Sequence, residues 1–456
     1  MSKQKTNWIC ERCKYSAIRW NGACPSCKAW NTLKETSLKT PITQKLPIQL
    51  VRLSDAQAEE PKRLSTEIQE VDRVLGGGLV PGSLILLGGD PGIGKSTLLL
   101  QICSGVAKKT GRPVLYVSGE ESIQQLSIRA NRIGVKSKDV FCLSHCHISS
   151  ILETVQTIHP CFLIIDSIQT TYEEKLPSTP GSPQQLREVC AQLLTLAKGS
   201  SIIVFLIGHV TKEGGLAGPR LIEHMVDAVL SFEGDKDLRF RFLRTTKNRF
   251  GSTDEVGVFM MEKSGLVEMN QPSLLFIGDQ KGIPGSSVTC FLDGARPFLV
   301  EVQALLCKSY YANPIRRSSG LDPNRIAVLL AVAERRLNLR IHEFDVFFSV
   351  TGGIKLNDPS CDLSLLMSLF SSLENKSLPE KTLILGEVGL GGEIRAVPHL
   401  TQRVKEGILM GFRRFLIPEQ NLQPIKQKDG IAIEILIMKD IGSAWKWAKL
   451  NSSYST

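Results

Sequence analysis

The stretch LILLGGDPGIGKSTLLLQIC, residues 84–103, joins a short apolar run to a longer run with helical spacing. Between the two runs lies the pattern Gly-x-x-x-x-Gly-Lys-Ser, which begins at Gly89. Glycines at this spacing let backbone N–H groups wrap around phosphates, and the N-terminus of the following helix adds partial positive charge. The stretch therefore predicts a strand, a phosphate-binding loop and a helix. The residues expected to bind nucleotide here are Gly89, Asp90, Pro91, Gly92, Ile93, Gly94, Lys95, Ser96 and Thr97.

The pattern around this loop predicts an α/β fold. Short apolar runs alternate with amphipathic segments through residues 61–271, which is typical of a buried parallel β-sheet with helices on both faces. A second α/β region is expected over residues 272–456. A Cys-rich unit at residues 1–33 and a polar linker at residues 34–60 precede both regions.

Two carboxylates are expected to complete a site for ATP and Mg²⁺. Lys95 would reach the terminal phosphates and Ser96 would ligate the ion. Asp166 ends the apolar run CFLIID, where it can hold Mg²⁺ through its water shell. Glu120, at the end of VLYVSGEES, is the preferred general base. Glu121 is the alternative, and either glutamate could instead be an ordinary carboxylate at a helix start.

A histidine and two long loops are expected near the same edge of the sheet. His209 ends the strand VFLIGH, where it either senses the γ-phosphate or is a hydrogen-bonded core histidine. The glycine-rich loop after it carries Lys212 and Arg220, and a second loop contains YEEKLPSTPGSP. Ligands of parallel sheets bind at this edge, so both loops are candidates for ligand contact.

Composition limits the class of protein. The chain has 456 residues, 42% of them hydrophobic and 22% charged, which predicts a folded chain of two or three domains. The net charge of +10 favours a polyanionic partner, nucleic acid above all, over an ordinary basic enzyme. No apolar run approaches the roughly 20 residues that cross a bilayer, and the first residues lack the apolar part of a signal peptide. We therefore predict a cytoplasmic protein without membrane association.

Four of the 12 cysteines are clustered near the beginning of the sequence. They form two C-x-x-C pairs, Cys10 with Cys13 and Cys24 with Cys27. Two such pairs supply the four thiolates of a tetrahedral Zn²⁺ site, whereas a redox pair lacks its usual βαβ setting here. The role of this ribbon is left open between a structural clip and a contact with nucleic acid or protein. A second group is predicted to be ordinary strand and loop residues: Cys142, His145, Cys146, His147 and His159.

The motif KNRFG follows a predicted strand and places two cations around an amide. It comprises Lys247, Asn248, Arg249, Phe250 and Gly251. On an extended segment Lys247 and Arg249 point the same way, so both can meet a phosphate of a neighbouring subunit's nucleotide or of DNA. Phe250 is expected to anchor the segment, and Gly251 to permit a turn. The alternative is a solvated strand end.

These motifs, in this order, resemble those of the RadA family (also called Sms), bacterial DNA-repair ATPases related to RecA. The resemblance rests on the four-Cys ribbon, GDPGIGKST, SGEES, IIDSIQT, GHVTKEG and above all KNRFG. It implies a RecA-like core and a hexameric ring that binds single-stranded and branched DNA, works beside a RecA-type recombinase and uses ATP to drive branch migration. It also implies RecA-like nucleotide roles for Lys95, Ser96, Glu120 and Asp166, and a sensor role for His209.

The last domain resembles the proteolytic domain of Lon, with one departure. Ser360, in NDPSCD, stands at the position of the Lon nucleophile, but Thr401 stands where the general-base lysine is expected. A lone serine without a neutral amine is predicted to be inert, although Lys405 follows one helical turn later. The domain is expected instead to assemble the ring and to add basic surface for DNA. Candidates for that surface are Arg316, Arg317 and Arg325.

Two other functions compete with a DNA-moving ATPase. One is an ATP-dependent protease that uses Ser360. The other is a scaffold whose grip on DNA is switched by nucleotide without translocation.

Overall fold

The computed structural model describes residues 7–13, 15–17, 20–36, 62–209, 221–234, 240–278, 282–310, 313–421 and 432–451. The chain divides into two compact units, one within Met1–Glu60 and the other within Pro61–Thr456. Most of the predicted linker, and the loop with Lys212 and Arg220, lie outside the described residues. A search of the described helices finds none with the length and apolarity needed to cross a membrane.

The first unit is a small antiparallel ribbon. Its strands are β1 (Asn7–Cys10), β2 (Ser16–Ala17) and β3 (Leu33–Thr36), in the order β2-β1-β3. The Cys-rich unit was predicted to end at residue 33, but β3 continues to Thr36, which pairs with Asn7 of β1. The buried cluster consists of Cys10, Ala17, Cys24 and Leu33. Such a small core favours a fold that depends on metal for its stability.

The second unit begins with the predicted α/β core. Its strands are β4 (Leu84–Gly89), β5 (Val114–Ser118), β6 (Val140–Ser144), β7 (Phe162–Asp166), β8 (Ile203–His209), β9 (Ala228–Glu233), β10 (Phe240–Asn248), β11 (Val256–Glu262) and β12 (Gly265–Glu268). Its helices are α1 (Gln69–Val74), α2 (Lys95–Thr110), α3 (Ile123–Arg132), α4 (Ile148–Ile158) and α5 (Pro183–Ser200). In the described residues the strand order is β12-β11-β10-β9-β4-β8-β7-β5-β6.

The central part of this sheet is parallel and covered on both faces, as predicted. Strands β9, β4, β8, β7, β5 and β6 pair in parallel, whereas β10, β11 and β12 add antiparallel strands at one side. Along β4, Ile85 and Leu87 pack with α1 and α2, and Leu84 and Leu86 pack with α4 and α5. This alternation buries both faces of the strand, which explains its uninterrupted apolar sequence. The predicted α/β fold class is confirmed.

A second, smaller sheet follows in the order β15-β16-β14-β13-β17-β20-β21. Its strands, with the separate hairpin β18–β19, are β13 (Ser286–Asp293), β14 (Arg296–Lys308), β15 (Arg316–Ser319), β16 (Phe344–Val350), β17 (Thr382–Ile384), β18 (Glu387–Val388), β19 (Ile394–Arg395), β20 (Arg414–Pro418) and β21 (Glu434–Met438). The helices are α6 (Pro323–Leu337), α7 (Asp362–Glu374), α8 (Leu400–Leu409) and α9 (Ile441–Asn451). One face of the sheet packs on α6, α7 and α9, and the other on α8.

Candidate active site and metal centre

The loop between β4 and α2 wraps around its own lysine. Lys95 is the first residue of α2, and its Nζ donates to the carbonyl oxygens of Gly89 at 2.8 Å and Asp90 at 3.0 Å. Burial lowers the pKa of Lys95, while the carboxylates of Asp166, Glu120 and Asp90 act in the opposite direction. The ammonium group thus lies inside the loop, where a bound phosphate would be expected.

Two glycines of this loop are required by close approaches. Gly94 has a φ of +117°, and a Cβ there would lie 2.7 Å from Cε of Met261. A Cβ at Gly89 would lie 2.4 Å from the carbonyl oxygen of Phe232. The loop is also bonded to the sheet, because the Nε of buried Arg241, in β10, donates to the carbonyl oxygen of Ile93 at 3.2 Å. The motif spacing indicates the glycines, but it gives no sign of the arginine that supports the loop.

The serine and aspartate predicted to hold Mg²⁺ are in direct contact. Asp166 ends β7 and is buried, and its Oδ2 accepts from the Ser96 hydroxyl at 2.8 Å. The hydroxyl of Tyr116, in β5, donates to the same oxygen. Burial, followed by the charge of Asp166, raises the pKa of Tyr116 well above its usual value, so this hydroxyl remains a donor. The Ser96 hydroxyl, in the first turn of α2, and the Asp166 carboxylate, at the end of β7, are oxygen ligands of the kind that hydrated Mg²⁺ prefers.

The two adjacent glutamates have different surroundings. Glu120 is exposed, and its Oε1 accepts from the Ser167 hydroxyl at 2.5 Å. Glu121 forms an ion pair with Arg129 of α3 at 2.5 Å, and its backbone N–H donates to Ser118. One oxygen of the Glu121 carboxylate is therefore held by α3, while the other, Oε2, is buried without a hydrogen-bond partner among the described residues. Glu120 lies against Ser167, the residue that follows Asp166.

The backbone of His209, the predicted sensor, lies beside the start of the phosphate-binding loop. His209 is the last residue of β8, and it pairs in register with Gly89 at the end of β4. Its side chain is outside the described part of the chain. The other predicted loop, after β7, is described, and buried Gln185 holds it through hydrogen bonds to Glu173, Leu176 and Ser178.

The two cations of KNRFG both contact the segment that leads into β9. Lys247 Nζ donates to the carbonyl oxygens of Glu223 and Val226, each at 2.8 Å, and to that of His224 at 3.3 Å. Burial, followed by the positive charge of Arg249, lowers the pKa of Lys247. The lysine is therefore held by its own chain.

Arg249 is the freer of the two cations. Its side chain is 57% exposed, and its ion pair with Asp227 is long, at 3.4 Å. Lys198 already contacts the same carboxylate at 2.8 Å. Because Lys198 would still neutralise Asp227, Arg249 could leave this carboxylate for a phosphate at little cost in free energy.

The last residues of the motif are held by contacts within the motif and with other segments. Asn248 Oδ1 accepts from the backbone N–H of Phe250 at 2.9 Å, and the Phe250 carbonyl accepts from Arg63 at 2.5 Å. Gly251 is not among the residues with positive φ. A Cβ there would instead lie 3.4 Å from Cα of Gly76 and 3.3 Å from the Asn248 amide. Gly251 thus lies close to a neighbouring segment and does not adopt a left-handed conformation.

The four ribbon cysteines converge as predicted. The sulfur atoms of Cys10, Cys13, Cys24 and Cys27 all lie within 4.8 Å of one another. Cys10 and Cys27 are 3.6 Å apart, and Cys13 and Cys24 are 3.5 Å apart. Four thiolates around Zn²⁺ at bond lengths of about 2.3 Å would have sulfur separations of about 3.8 Å. The donor set and its spacing fit tetrahedral zinc. Within the described part of the chain, this is the group whose ligand atoms come close enough to share a metal ion.

The serine at the Lon-like position is enclosed by a charged network. Ser360 is buried, and its backbone N–H donates to Asp358 Oδ1 at 2.9 Å. The other oxygen of Asp358 accepts from buried Arg403 at 2.8 Å. A guanidinium stays protonated and cannot take the proton of a serine hydroxyl. Thr401 and Lys405 occupy exposed positions of α8. The sequence comparison with Lon did not single out Arg403.

The three candidate DNA-binding arginines are not equivalent. Arg316 and Arg317 are exposed on β15, which lies at an edge of the second sheet. Arg325 is bound through two nitrogens to Asp362, with the Nε–Oδ1 distance at 2.9 Å. The ion pair leaves Arg325 less able to reach a DNA phosphate than the two edge-strand arginines.

The nine-stranded order, the P-loop and the Ser96–Asp166 contact define a P-loop ATPase of the RecA-like type. Models of two families match this chain: the AAA domain over residues 50–215, and the rubredoxin metal binding domain over residues 8–35.

Relatives match nearly the whole chain. The DNA repair protein RadA of Bacillus subtilis is 44% identical over 443 residues, covering 95% of this chain and 96% of that protein. The DNA repair protein RadA of Pseudomonas aeruginosa is 46% identical over 429 residues, covering 92% and 94%. That of Chlamydia muridarum is 44% identical over 451 residues, covering 97% and 98%. The chain belongs to the RadA family of DNA repair proteins.

Among solved structures, a KaiC-like protein from Pyrococcus horikoshii matches with a TM-score of 0.38 at 22% identity, covering 46% of this chain and 99% of that one. This similarity is too weak to bear on function.

Proposed function

We propose that the protein is a DNA-dependent ATPase that uses ATP to drive branch migration of recombination intermediates. The observation that carries the proposal is the assembled nucleotide site, in which Lys95, Ser96, Asp166 and Glu120 converge at the carboxyl end of the parallel sheet. The DNA repair names of relatives that share nearly its full length support DNA as the partner. The net charge of +10 is consistent with that partner.

The chain's own residues divide the work of hydrolysis. The loop amides and Lys95 would bind the phosphates, and Ser96 with Asp166 would hold Mg²⁺. When bound, Mg²⁺ would neutralise charge on the phosphates. Glu120 would orient the attacking water, and its contact with Ser167 keeps that carboxylate beside the residue that follows Asp166.

Two assays test this function. Single-stranded DNA is expected to raise the ATPase rate, and purified protein is expected to extend heteroduplex in a three-strand intermediate only when ATP is hydrolysed. Binding of DNA without extension would replace the motor with the nucleotide-switched scaffold. An ATPase rate that is independent of DNA would remove the DNA-dependent part of the proposal.

We further propose that KNRFG couples the nucleotide of one subunit to its neighbour in a ring, expected to be hexameric. Arg249, exposed and weakly paired, is the candidate for the neighbour's phosphate. Lys247, bonded to the carbonyls of residues 223–226, would instead fix the segment that follows the glycine-rich loop. The motif would thus connect Arg249, at the boundary with the neighbouring subunit, to the glycine-rich loop that follows β8.

Mixed rings test the coupling across subunits. Arg249→Ala and Lys95→Ala proteins are each expected to lack ATPase, and mixing them should restore part of it, because an intact loop can meet an intact Arg249. Mixing Lys95→Ala with Glu120→Gln is the matched control. Lys95 and Glu120 are both proposed to act on the nucleotide of their own subunit. Every subunit of this mixed ring would therefore keep one defective residue at its own site, and no recovery is expected. No recovery in the Arg249 pair would overturn the assignment, and equal recovery in the control pair would show that the recovery does not depend on Arg249.

The second sheet is proposed to serve assembly and DNA contact rather than proteolysis. Ser360 is buried beside a fixed guanidinium, which argues against a Ser-Lys dyad. Exposed Arg316 and Arg317 would contact DNA phosphates. A RecA-type recombinase is the proposed protein partner, and the cytoplasm the proposed location.

A further inference from the structure

A single tyrosine interrupts the apolar sequence of β5 near the Mg²⁺ residues. Tyr116 is 0% exposed, and its neighbours Leu115 and Val117 pack into the core on the opposite face of the strand. Burying a hydroxyl without a partner costs free energy, so phenylalanine would be the simpler residue for a purely apolar position. The presence of the hydroxyl points to a specific partner.

That partner is Asp166. Strand β5 lies next to β7, with Ser118 opposite Asp166 and Tyr116 opposite Ile164. Tyr116 and Ser118 are two residues apart on one strand, so their side chains leave the same face. The length of the tyrosine ring then brings its hydroxyl along that face to Asp166 Oδ2.

The same oxygen also accepts from Ser96. Ser96 is the residue whose hydroxyl is expected to ligate Mg²⁺, so its bond to Asp166 would be exchanged when the ion binds. The bond from Tyr116 comes from the rigid interior of the sheet and would remain. Without the Tyr116 bond, the Asp166 carboxylate would be free to rotate once Ser96 turns to the ion, and its oxygens would no longer be oriented toward hydrated Mg²⁺.

We propose that Tyr116 is a positioning residue whose hydroxyl fixes the Asp166 carboxylate, so that this carboxylate can hold hydrated Mg²⁺ while Ser96 turns to the ion. The inference rests on the proposed nucleotide site and adds to it a residue outside the P-loop and its partner aspartate. It assigns to Tyr116 an effect on Mg²⁺ affinity and no direct contact with ATP.

The test is Tyr116→Phe in the full-length protein, with binding of a fluorescent ADP analogue measured over a series of Mg²⁺ concentrations. The Mg²⁺ midpoint is expected to rise about tenfold, the scale of one hydrogen bond to a charged group. Nucleotide affinity without Mg²⁺ is expected to stay within about twofold of wild type, since the hydroxyl acts only through the carboxylate. Electron paramagnetic resonance of Mn²⁺ bound with ADP gives the same comparison without turnover.

Two further variants separate positioning from general damage. Tyr310→Phe removes the hydroxyl of a tyrosine that is 93% exposed just after β14, and its Mg²⁺ midpoint should equal that of wild type. In an Asp166→Asn background, Tyr116→Phe should add little to the midpoint, because the charged acceptor is already lost. If Tyr116→Phe proves poorly folded, Tyr116→Met supplies the comparison, because it also removes the donor and its flexible side chain can fill the buried position.

The outcomes distinguish the inference from the site itself. A folded Tyr116→Phe protein with an unchanged Mg²⁺ midpoint would overturn the positioning role, as would equal effects of Tyr116→Phe in the wild-type and Asp166→Asn backgrounds. Wild-type protein whose nucleotide binding ignores Mg²⁺ would instead contradict the proposed nucleotide site.

Discussion

Replacing Glu70 by alanine is expected to destabilise the second unit strongly, because this carboxylate joins its two sheets through a buried ion pair. Glu70 lies in α1 and is 0% exposed, and its Oε2 accepts from Arg296 at the start of β14 and from the backbone N–H of Val258 at 2.8 Å. Arg296 also donates to the carbonyl of Val256 at 2.9 Å. Glu70→Ala would leave the Arg296 guanidinium buried without its carboxylate and the Val258 N–H without its acceptor.

The magnitude follows from burial. Removing one partner of a buried ion pair costs about 3–5 kcal/mol, far more than the contribution of an exposed pair. With a urea dependence of about 3 kcal/mol per molar, the unfolding midpoint would fall by about 1–1.7 M. Such a loss is a large part of the roughly 5–15 kcal/mol that stabilises a typical domain.

Urea unfolding of the full-length protein, followed by circular dichroism and tryptophan fluorescence, measures the effect. Glu70→Gln should be milder, since its amide oxygen can still accept from Val258. Arg395→Ala is the matched surface control: Arg395 pairs with Glu393 and Glu387 but is 53% exposed, so its loss should cost less than about 1 kcal/mol. A Glu70→Ala midpoint no lower than that of Arg395→Ala would refute the reasoning.

Three other outcomes are expected. Arg316→Ala with Arg317→Ala should lower DNA affinity and reduce the slope of log affinity against log salt by about 2, as measured by fluorescence anisotropy, and an unchanged slope would exclude these phosphate contacts. Cys24→Ser should abolish zinc binding, measured by metal analysis, and unfold the ribbon while the larger unit keeps its melting temperature, because that unit has its own cores. Ser360→Ala should leave ATPase and heteroduplex extension unchanged and should remove no casein cleavage, since the wild-type protein is expected to show none.

Local sequence was enough for features whose partners lie close along the chain. The P-loop spacing, the two C-x-x-C pairs and the alternation of strands and helices each reflect one short segment with one geometry. Lys95, bonded to Gly89 and Asp90, illustrates this, since both contacts lie within the motif itself. The strand end at Asp166 was equally readable, because an apolar run that stops on a carboxylate marks the ligand edge of a parallel sheet.

Predictions that depended on a distant neighbour were less successful. Gly251 lies against Gly76 and lacks the positive φ of a left-handed turn. Arg325 resembled the other surface arginines in sequence, but it is paired with Asp362. Neither partner could be identified without knowing which segments the fold brings together.

The sequence by itself determined the α/β class, the phosphate-binding loop and the four metal-binding cysteines, because those features follow from residue spacing and strand or helix period. The family was indicated by the resemblance of the ordered motifs to those of known proteins. Only the tertiary structure decided that the Tyr116 hydroxyl bonds to Asp166, that Arg403 pairs with Asp358 near Ser360, and that Glu70 pairs with Arg296. These contacts join residues on different strands and helices. Strand order and side-chain register, which no single segment encodes, select such partners.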